Sequence, residues 1–184
     1  MEKYNESELD AIEFHLRNNK SVIVDTDTVY GIVSLSSNLI YSAKKRPHSK
    51  KLVVFIKDFI NSGIFEPNEI KVLKKYWPGK LTVIKNKVGY RVPNSKFLLD
   101  LLDRVIFLYS SSANLSGRKP VKSFEEAQTE FKKVKDKVIF VKSHIRHTDA
   151  DKPSTIINLD KNKVIRKGQI DGEQILIEIS KLEN

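Results

Sequence analysis

The sequence predicts an α/β sandwich in which helices pack on a mixed β-sheet. Short runs of apolar and β-branched residues alternate with segments whose apolar residues recur at helical spacing, but without a strict strand–helix–strand order. Neither glycine-rich phosphate loop of the common nucleotide-binding folds, GxGxxG or GxxxxGK[ST], occurs in the chain. A mixed sheet is therefore predicted rather than a doubly wound nucleotide-binding fold.

Helical and strand patterns alternate irregularly in the first half of the chain. Leu9, Ile12 and Leu16 recur at helical spacing after a capping-box-like Ser7, so a first helix is expected to end by Asn18. Strands are then predicted over 21–25, 32–33 and 52–56, and helices over 38–45, stopped by Pro47, and 66–76, with Pro67 in its first turn.

The second half continues in the same mixed manner. Trp77-Pro78-Gly79 marks a turn, and the strands predicted over 81–85 and 88–92 are close enough to form a hairpin. Ser123, with Glu126 three residues on, is expected to begin a helix over 124–133. The remaining predictions are helices over 96–103 and from 171 onward, and strands over 105–109, 138–141, 154–159 and 163–166.

The composition is that of a folded, basic protein. Its 184 residues suit a single domain over 1–184, and the absence of cysteine excludes disulfides and thiolate chemistry and fits a reducing cytoplasm. No signal-peptide layout or membrane-spanning apolar run is present, so a cytoplasmic protein without membrane contact is expected. The net charge of +10 suggests RNA or a phosphate-bearing substrate as partner, although solvated surface lysines explain it equally well.

The segment from Thr26 to Gly31, TDTVYG, follows the first predicted strand directly. Its two threonine hydroxyls lie on one face if the backbone is extended, which suits a small polar ligand. The alternative is a strand-ending turn in which Asp27 and the threonines bind their own backbone amides.

Cations cluster between the second predicted helix and the next strand. Lys44, Arg46 and Lys50 surround a rigid Pro47 and could hold a triphosphate, with arginine as a planar fork and lysine as a point charge. Favourable placement of cations at a helix C-terminus explains the same residues without a ligand.

Hydroxyl and amide side chains follow the strand predicted over 105–109. The segment from Ser110 to Gly117 could bind phosphate or sugar oxygens, or could simply form a serine-rich turn. Because no His–Asp partner set is evident, none of these serines is interpreted as an acyl-enzyme nucleophile.

These segments resemble, in order, the motifs of the YrdC-like family. The family pattern runs TDTVYG, KxRP, WPG with LT, RVP, SAN with SG, PSTI and RxG. It matches 26–31, 44–47, 77–79 with 81–82, 91–93, 112–114 with 116–117, 153–156, and Arg166 with Gly168. The resemblance covers about residues 7 to 170.

The resemblance implies an open, twisted sheet with a basic concave face and a nucleotidyl transfer that makes threonylcarbamoyl-AMP and pyrophosphate. L-threonine, bicarbonate and ATP with Mg²⁺ would be the reactants. A downstream threonylcarbamoyl transferase would then use the product to modify tRNA. By resemblance, Lys44 and Arg46 are catalytic. ATP is held by Lys44, Arg46, Lys50, Ser112, Asn114, Ser123 and Arg166, and threonine by Thr28, Arg91, Ser112 and Ser154.

Departures from the family pattern sharpen the prediction. Asp25 replaces the usual proline and the loop from Ser34 to Asn38 is short, so the adenine or lid side is expected to differ. Phe55 stands where the two-domain branch has a threonine-contacting histidine, and together with the segment from Arg46 to Lys50 it makes the chain resemble the short branch. His144 and His147, with Asp149 and Asp151 close behind, suggest either a metal site or, more simply, a loop that could cover the cavity.

Two rival functions are left open. One is a noncatalytic RNA-binding module that binds tRNA or double-stranded RNA. The other is the carbamoyl-adenylate domain of hydrogenase maturation, which usually comes with cysteine-rich zinc fingers that this chain lacks.

Overall fold

A computed structural model describes residues 2–142, 147 and 152–183. Helices in this part of the chain are α1 Leu9–Arg17, α2 Ser37–Lys44, α3 Pro67–Leu73, α4 Lys96–Val105, α5 Phe124–Glu130 and α6 Gly172–Glu183, with a 3₁₀ turn at Lys132–Val134. The strands are β1 Lys3–Asn5, β2 Ser21–Val24, β3 Gly31–Ser34, β4 Val53–Ile56, β5 Leu81–Lys85, β6 Val88–Arg91, β7 Phe107–Ser112, β8 Val138–Lys142, β9 Thr155–Asn158 and β10 Lys163–Arg166. Within the described residues, no helix has the length and apolar character needed to cross a bilayer.

The described strands form one open sheet in the order β1-β8-β2-β3-β7-β4-β6-β5-β9-β10. The β1/β8, β2/β8, β4/β6 and β5/β9 pairs are parallel, and the β2/β3, β3/β7, β4/β7, β5/β6 and β9/β10 pairs are antiparallel. The predicted α/β fold with a mixed sheet is therefore confirmed, and so is the hairpin formed by β5 and β6.

Three apolar clusters attach the helices to this sheet. One packs α1 and α4 on the sheet through Ile12, Leu16, Leu98 and Leu101. A second includes buried residues of α3 and α6, and a third includes buried residues of α2 and α5. Burial of these helix stripes stabilises the sheet, whose strand ends are left to carry polar groups.

The strand register brings the polar segments of the sequence together. Gly31 pairs with Ser112 across β3 and β7, and Phe55 pairs with Arg91 across β4 and β6. Leu81 pairs with Thr155 across β5 and β9. Segments as much as 81 residues apart in the sequence thereby end at one place on the sheet.

The strand predicted over 105–109 was misplaced. Helix α4 continues to Val105, because Leu98, Leu101, Leu102 and Val105 form one buried helical stripe. The strand starts at Phe107 and runs to Ser112, so the first three serines of the 110–117 segment belong to the strand and not to a loop.

Some helix ends also differ from the predictions. Helix α1 is preceded by Glu8 rather than capped by Ser7, and the Glu8 carboxylate accepts a hydrogen bond from the Asn5 amide. Helices α3 and α5 end at Leu73 and Glu130, earlier than predicted, because turn and 3₁₀ geometry follows each of them.

Candidate functional site

A cavity of about 260 Å³ lies where these strand ends meet. Its wall contains residues of the 26–31 loop and of β3, β4, β5, β6, β7, β9 and β10, with additional residues before β4 and β9. The lining residues are Thr26, Thr28, Val29, Gly31, Arg46, Lys51, Val53, Phe55, Thr82, Arg91, Ser110, Ser111, Ser112, Pro153, Ser154, Ile156 and Arg166.

The wall of the cavity is rich in positive charge and hydroxyl groups. Its charged members are the four cations Arg46, Lys51, Arg91 and Arg166, and seven more are serines or threonines. No carboxylate is among the described residues of the wall. Cations and hydroxyls that converge on one cavity without acids form a binding site for anions.

Arg91 is the most constrained of these cations. Its Nε donates to the Gly79 carbonyl at 3.0 Å, Nη1 to Thr28 Oγ1 at 3.0 Å, and Nη2 to Asp27 Oδ1 at 2.6 Å. The Arg91 and Asp27 side chains are 5% and 8% exposed. Burial lowers the pKa of Arg91, and the charge and hydrogen bond of Asp27 oppose that effect. Two of the five guanidinium N–H groups remain for a ligand.

The Trp77–Gly79 turn explains one of the family motifs. A Cβ on Gly79 would lie 2.5 Å from the Tyr76 carbonyl oxygen, so only glycine fits there. The Gly79 amide donates to Val92 O at 2.9 Å, while its carbonyl accepts from Arg91. The turn therefore fixes Arg91 at the end of β6.

Arg166 and Ser154 form a second constrained group. Arg166 Nε donates to Ser154 O at 2.9 Å and its Nη2 donates to Ser154 Oγ at 3.1 Å, and that hydroxyl also bonds with Thr82 Oγ1 at 2.8 Å. Burial lowers the pKa of Arg166, and the positive charge of Arg91 lowers it further. Two arginines are thus held near each other although their charges repel, an arrangement that an anion between them would relieve.

The loop from Arg46 to Lys51 is closed by the arginine itself. Arg46 Nε donates to the Lys50 carbonyl and its Nη2 to the Lys51 carbonyl, both at 2.9 Å. Lys50 is exposed and outside the cavity wall, whereas Lys51 lines the wall. Sequence reasoning chose Lys50 and missed Lys51, although Lys51, Val53 and Phe55 share the two-residue spacing of one strand face.

Lys44 lies behind the wall and not in it. It is fully buried at the end of α2, and its Nζ donates to Ser112 O and, at 3.3 Å, to Asn114 Oδ1. Burial lowers the pKa of Lys44 to about 7, the charge of Arg46 lowers it too, and the charge of Glu130 raises it. The Lys44 ammonium therefore loses its proton close to neutral pH.

The segment after β7 is organised by its own polar side chains. Ser112, which lines the cavity, donates from Oγ to Asn114 Oδ1 at 2.5 Å, and Asn114 Nδ2 donates to the carbonyls of Leu115 and Arg118 at 2.8 Å. Asn114 lies outside the wall. Ser123 is outside it as well and caps α5 by accepting from the Glu126 amide at 3.2 Å, which confirms the predicted helix start.

Thr28, the remaining residue predicted to bind the substrate threonine, lies in the cavity wall. Its hydroxyl accepts from Arg91 and lies 3.1 Å from Thr26 Oγ1. Thr26 Oγ1 also donates to the Val29 carbonyl at 2.6 Å and accepts from the Thr28 amide, so the threonine part of the alternative self-capping turn is present. The Asp27 carboxylate pairs with Arg91 and not with a backbone amide. The same hydroxyl cluster nevertheless faces the cavity, so the turn is compatible with a small polar ligand there.

His147 has a buried side chain that lies next to the end of β2. Its Nε2 bonds with Asp25, its ring meets Tyr30 edge-on at 5.5 Å, and its amide donates to the Lys122 carbonyl at 3.0 Å. The pairing joins positions 122 residues apart, which no local pattern could have indicated. The other residues of the suggested metal or loop segment, His144, Asp149 and Asp151, lie outside the described residues. Among those described, no group of three or more possible metal ligands occurs.

The geometry brings together most of the residues predicted from the sequence. Arg46, Arg91, Arg166, Thr28, Ser112 and Ser154 line one cavity, whereas Lys44 and Asn114 support its wall through Ser112. Ser123 and Lys50 lie outside the wall. Such a wall can bind two anionic groups side by side and stabilise charge that develops on phosphate oxygens.

Comparison with known proteins agrees with this arrangement. The family model for Sua5, YciO and YrdC, described as telomere recombination, matches residues 15–168. A putative threonylcarbamoyl-AMP synthase of Methanocaldococcus jannaschii is 30% identical over 184 residues, covering 88% of this chain and 86% of the relative. An uncharacterised Mycoplasma genitalium protein is 30% identical over 152 residues, which cover 78% of this chain.

A solved structure shares the fold. Pyrococcus abyssi Sua5 complexed with L-threonine is 25% identical, with a TM-score of 0.78 over 97% of this chain. The chain covers 60% of that protein and 31% of the Mycoplasma genitalium relative. Since the family model matches most of the sequence, the chain belongs to the Sua5/YciO/YrdC family.

Proposed function

We propose that this protein is a threonylcarbamoyl-AMP synthase. It would make threonylcarbamoyl-AMP and pyrophosphate from L-threonine, bicarbonate and ATP. The observation that carries the proposal is the cavity wall, in which four cations and seven hydroxyl residues converge without a carboxylate. The name of the Methanocaldococcus jannaschii relative and the threonine bound to Pyrococcus abyssi Sua5 support the same assignment.

The reaction needs charge stabilisation more than a protein nucleophile. The threonine amine combines with bicarbonate and loses water to give a carbamate. A carbamate oxygen then attacks the α-phosphorus of ATP and the bond to the pyrophosphate leaving group breaks. Reactants held in line, with cations beside the phosphates, lower the barrier to such a transfer.

The two ends of the cavity suit the two organic substrates. The threonine carboxylate would bind the two free N–H groups of Arg91, near Thr28 and Ser154. The ATP phosphates would lie along Arg46, Lys51 and Arg166, as a chain of charge-assisted hydrogen bonds. Ser112 would stand between the substrates, with Lys44 and Asn114 supporting the nucleotide side from behind the wall.

Magnesium would arrive with the nucleotide. Because the described wall offers no carboxylate, Mg²⁺ would be held by phosphate oxygens and water, without the one or two protein carboxylates that are common in nucleotide sites. The ion would neutralise phosphate charge, while the arginines orient the chain of phosphates.

The product would pass to a separate threonylcarbamoyl transferase for tRNA modification in the cytoplasm. Direct contact with tRNA or double-stranded RNA is a further proposal, supported by the net charge of +10. Binding to RNA without nucleotidyl transfer would be the noncatalytic alternative.

Release of pyrophosphate from ATP tests the proposal. The purified protein is mixed with MgATP, bicarbonate and L-threonine, and each reactant is omitted in turn. We expect release only when all are present, and formation of threonylcarbamoyl-AMP detected by mass spectrometry. Pyrophosphate release that does not depend on threonine would indicate that the protein makes a different carbamoyl adenylate. RNA binding without any release would favour the noncatalytic module.

A further inference from the structure

Glu130, at the end of α5, holds the segment that follows β7. Its side chain is 14% exposed and lies outside the cavity wall. Oε1 accepts from the Leu115 amide at 2.9 Å, and Oε2 accepts from Arg118 Nη1 at 3.0 Å. One carboxylate thus binds the segment at two points, through a main-chain amide and a side-chain cation.

Lys44 holds the same segment on its other side. Its ammonium contacts Ser112 O and Asn114 Oδ1, and its carbonyl accepts from the Ser116 amide at 2.9 Å. Residues 112–118 therefore lie between a buried cation and a largely buried carboxylate. Ser112, the first residue of the segment, lines the cavity.

We propose that Glu130 is a positioning residue for the nucleotide side of the cavity, which fixes residues 112–118 and acts through its charge on the Lys44 ammonium. The inference rests on the proposed function, because the ligand it concerns is ATP. Glu130 touches no substrate in this arrangement. Its effect reaches ATP through Lys44 and Ser112.

The charges that face Lys44 set the expected direction. Glu130 is the carboxylate that raises its pKa, whereas burial and Arg46 lower it to about 7. A protonated Lys44 favours bound phosphates, so ATP affinity falls as pH rises through that value. Loss of the Glu130 charge lowers the Lys44 pKa further, and the fall in affinity then occurs at lower pH.

Glu130→Gln separates this role from simple support of the backbone. Glutamine keeps an acceptor for the Leu115 amide but removes the negative charge. Glu125→Gln removes an exposed carboxylate from the same helix and is the matched control. Both variants are compared with the unchanged protein in titrations with MgATP and with L-threonine between pH 6 and 8.5.

We expect Glu130→Gln to weaken MgATP binding roughly five- to ten-fold at pH 7.5 and to move its pH dependence to lower pH. Threonine binding should be unchanged, and Glu125→Gln should match the unchanged protein for both ligands. Equal loss of threonine and ATP binding, or an unshifted pH dependence of ATP binding, would overturn the proposal.

Measurements on the ligand-free protein distinguish a failure of this inference from a failure of the proposed function. If the unchanged protein binds no MgATP, the proposed function fails, and NMR of the Lys44 side chain decides whether Glu130 acts on its charge. We expect the Lys44 titration to move to lower pH in Glu130→Gln, and the Leu115 amide to exchange faster in Glu130→Ala. An unmoved titration together with unchanged exchange would refute a positioning role for Glu130.

Discussion

The arginines of the cavity wall form two groups that differ in their hydrogen-bond partners. Arg91 is paired with the buried carboxylate of Asp27 and makes two more hydrogen bonds inside the protein. Arg46 and Arg166 instead donate to neutral carbonyl and hydroxyl oxygens. A neutralised cation can orient a ligand but adds little net charge, whereas an unneutralised one retains its charge for an anion. Mutations should therefore distinguish Arg91, which orients a ligand, from Arg46 and Arg166, which supply positive charge.

The largest effect is expected on stability, when the neutralised Arg91 is removed. Arg91→Ala leaves Asp27 buried without its partner, and Asp27 Oδ2 already lacks a described hydrogen bond. Loss of one member of a buried pair costs about 3–5 kcal/mol. Urea unfolding should show that decrease, and the added change Asp27→Asn should restore part of it. An unchanged free energy of unfolding would remove the distinction between Arg91 and the other two arginines.

Removal of an unneutralised arginine should lower activity strongly and stability only a little. Arg46→Ala removes a cation beside the proposed phosphate site, and threonine-dependent pyrophosphate release should fall by about a hundred-fold or more. Its two hydrogen bonds go to backbone carbonyls of an exposed loop that water can solvate, so we expect the free energy of unfolding to fall by no more than about 2 kcal/mol, less than for Arg91→Ala. Turnover like that of the unchanged protein would contradict the placement of ATP.

A smaller effect distinguishes orientation from charge at Arg91. Lysine keeps the positive charge but lacks the planar fork. Arg91→Lys should raise the apparent threonine requirement roughly ten-fold, the equivalent of about 1.4 kcal/mol, and leave ATP affinity without threonine nearly unchanged. Titration of each ligand separately checks this. Loss of ATP binding with threonine binding intact would exchange the residues assigned to the two substrates.

The smallest expected effect compares two adjacent lysines. Lys51 lines the cavity and Lys50 does not. Lys51→Ala should weaken MgATP binding roughly three- to ten-fold, because an exposed lysine contributes about 1 kcal/mol to a charge-assisted contact. Lys50→Ala is the matched control and should bind MgATP like the unchanged protein. The opposite ranking would return the phosphate contact to Lys50, as the sequence alone suggested.

The mixed sheet and most of the cavity wall were predictable from the sequence. Ordered motifs identified Arg46, Arg91, Ser154 and Arg166. The partners of Arg46 and Arg166 are close in sequence or joined by strand pairing, whereas Arg91 binds Thr28 and Asp27, which lie 63 and 64 residues away. The same motifs did not indicate that Lys44 is buried behind the wall. That position depends on how α2 packs against the end of β7, and tertiary packing leaves no local periodic signal.

Two other features depended on contacts between distant segments. The Asp25–His147 pair and the hold of Glu130 on Leu115 both join residues that local patterns treat independently. The strand after α4 was misplaced for a related reason. Val105 and Ile106 have high β propensity, but the buried stripe of α4 keeps Val105 helical, so packing overrode propensity.

The division of the cavity is tested most directly by a crystal structure with L-threonine and a nonhydrolysable ATP analogue bound. We expect the threonine carboxylate within hydrogen-bonding distance of Arg91 and Ser154, and the phosphates beside Arg46 and Lys51. Phosphates at Arg91, with threonine beside Arg46, would contradict the account.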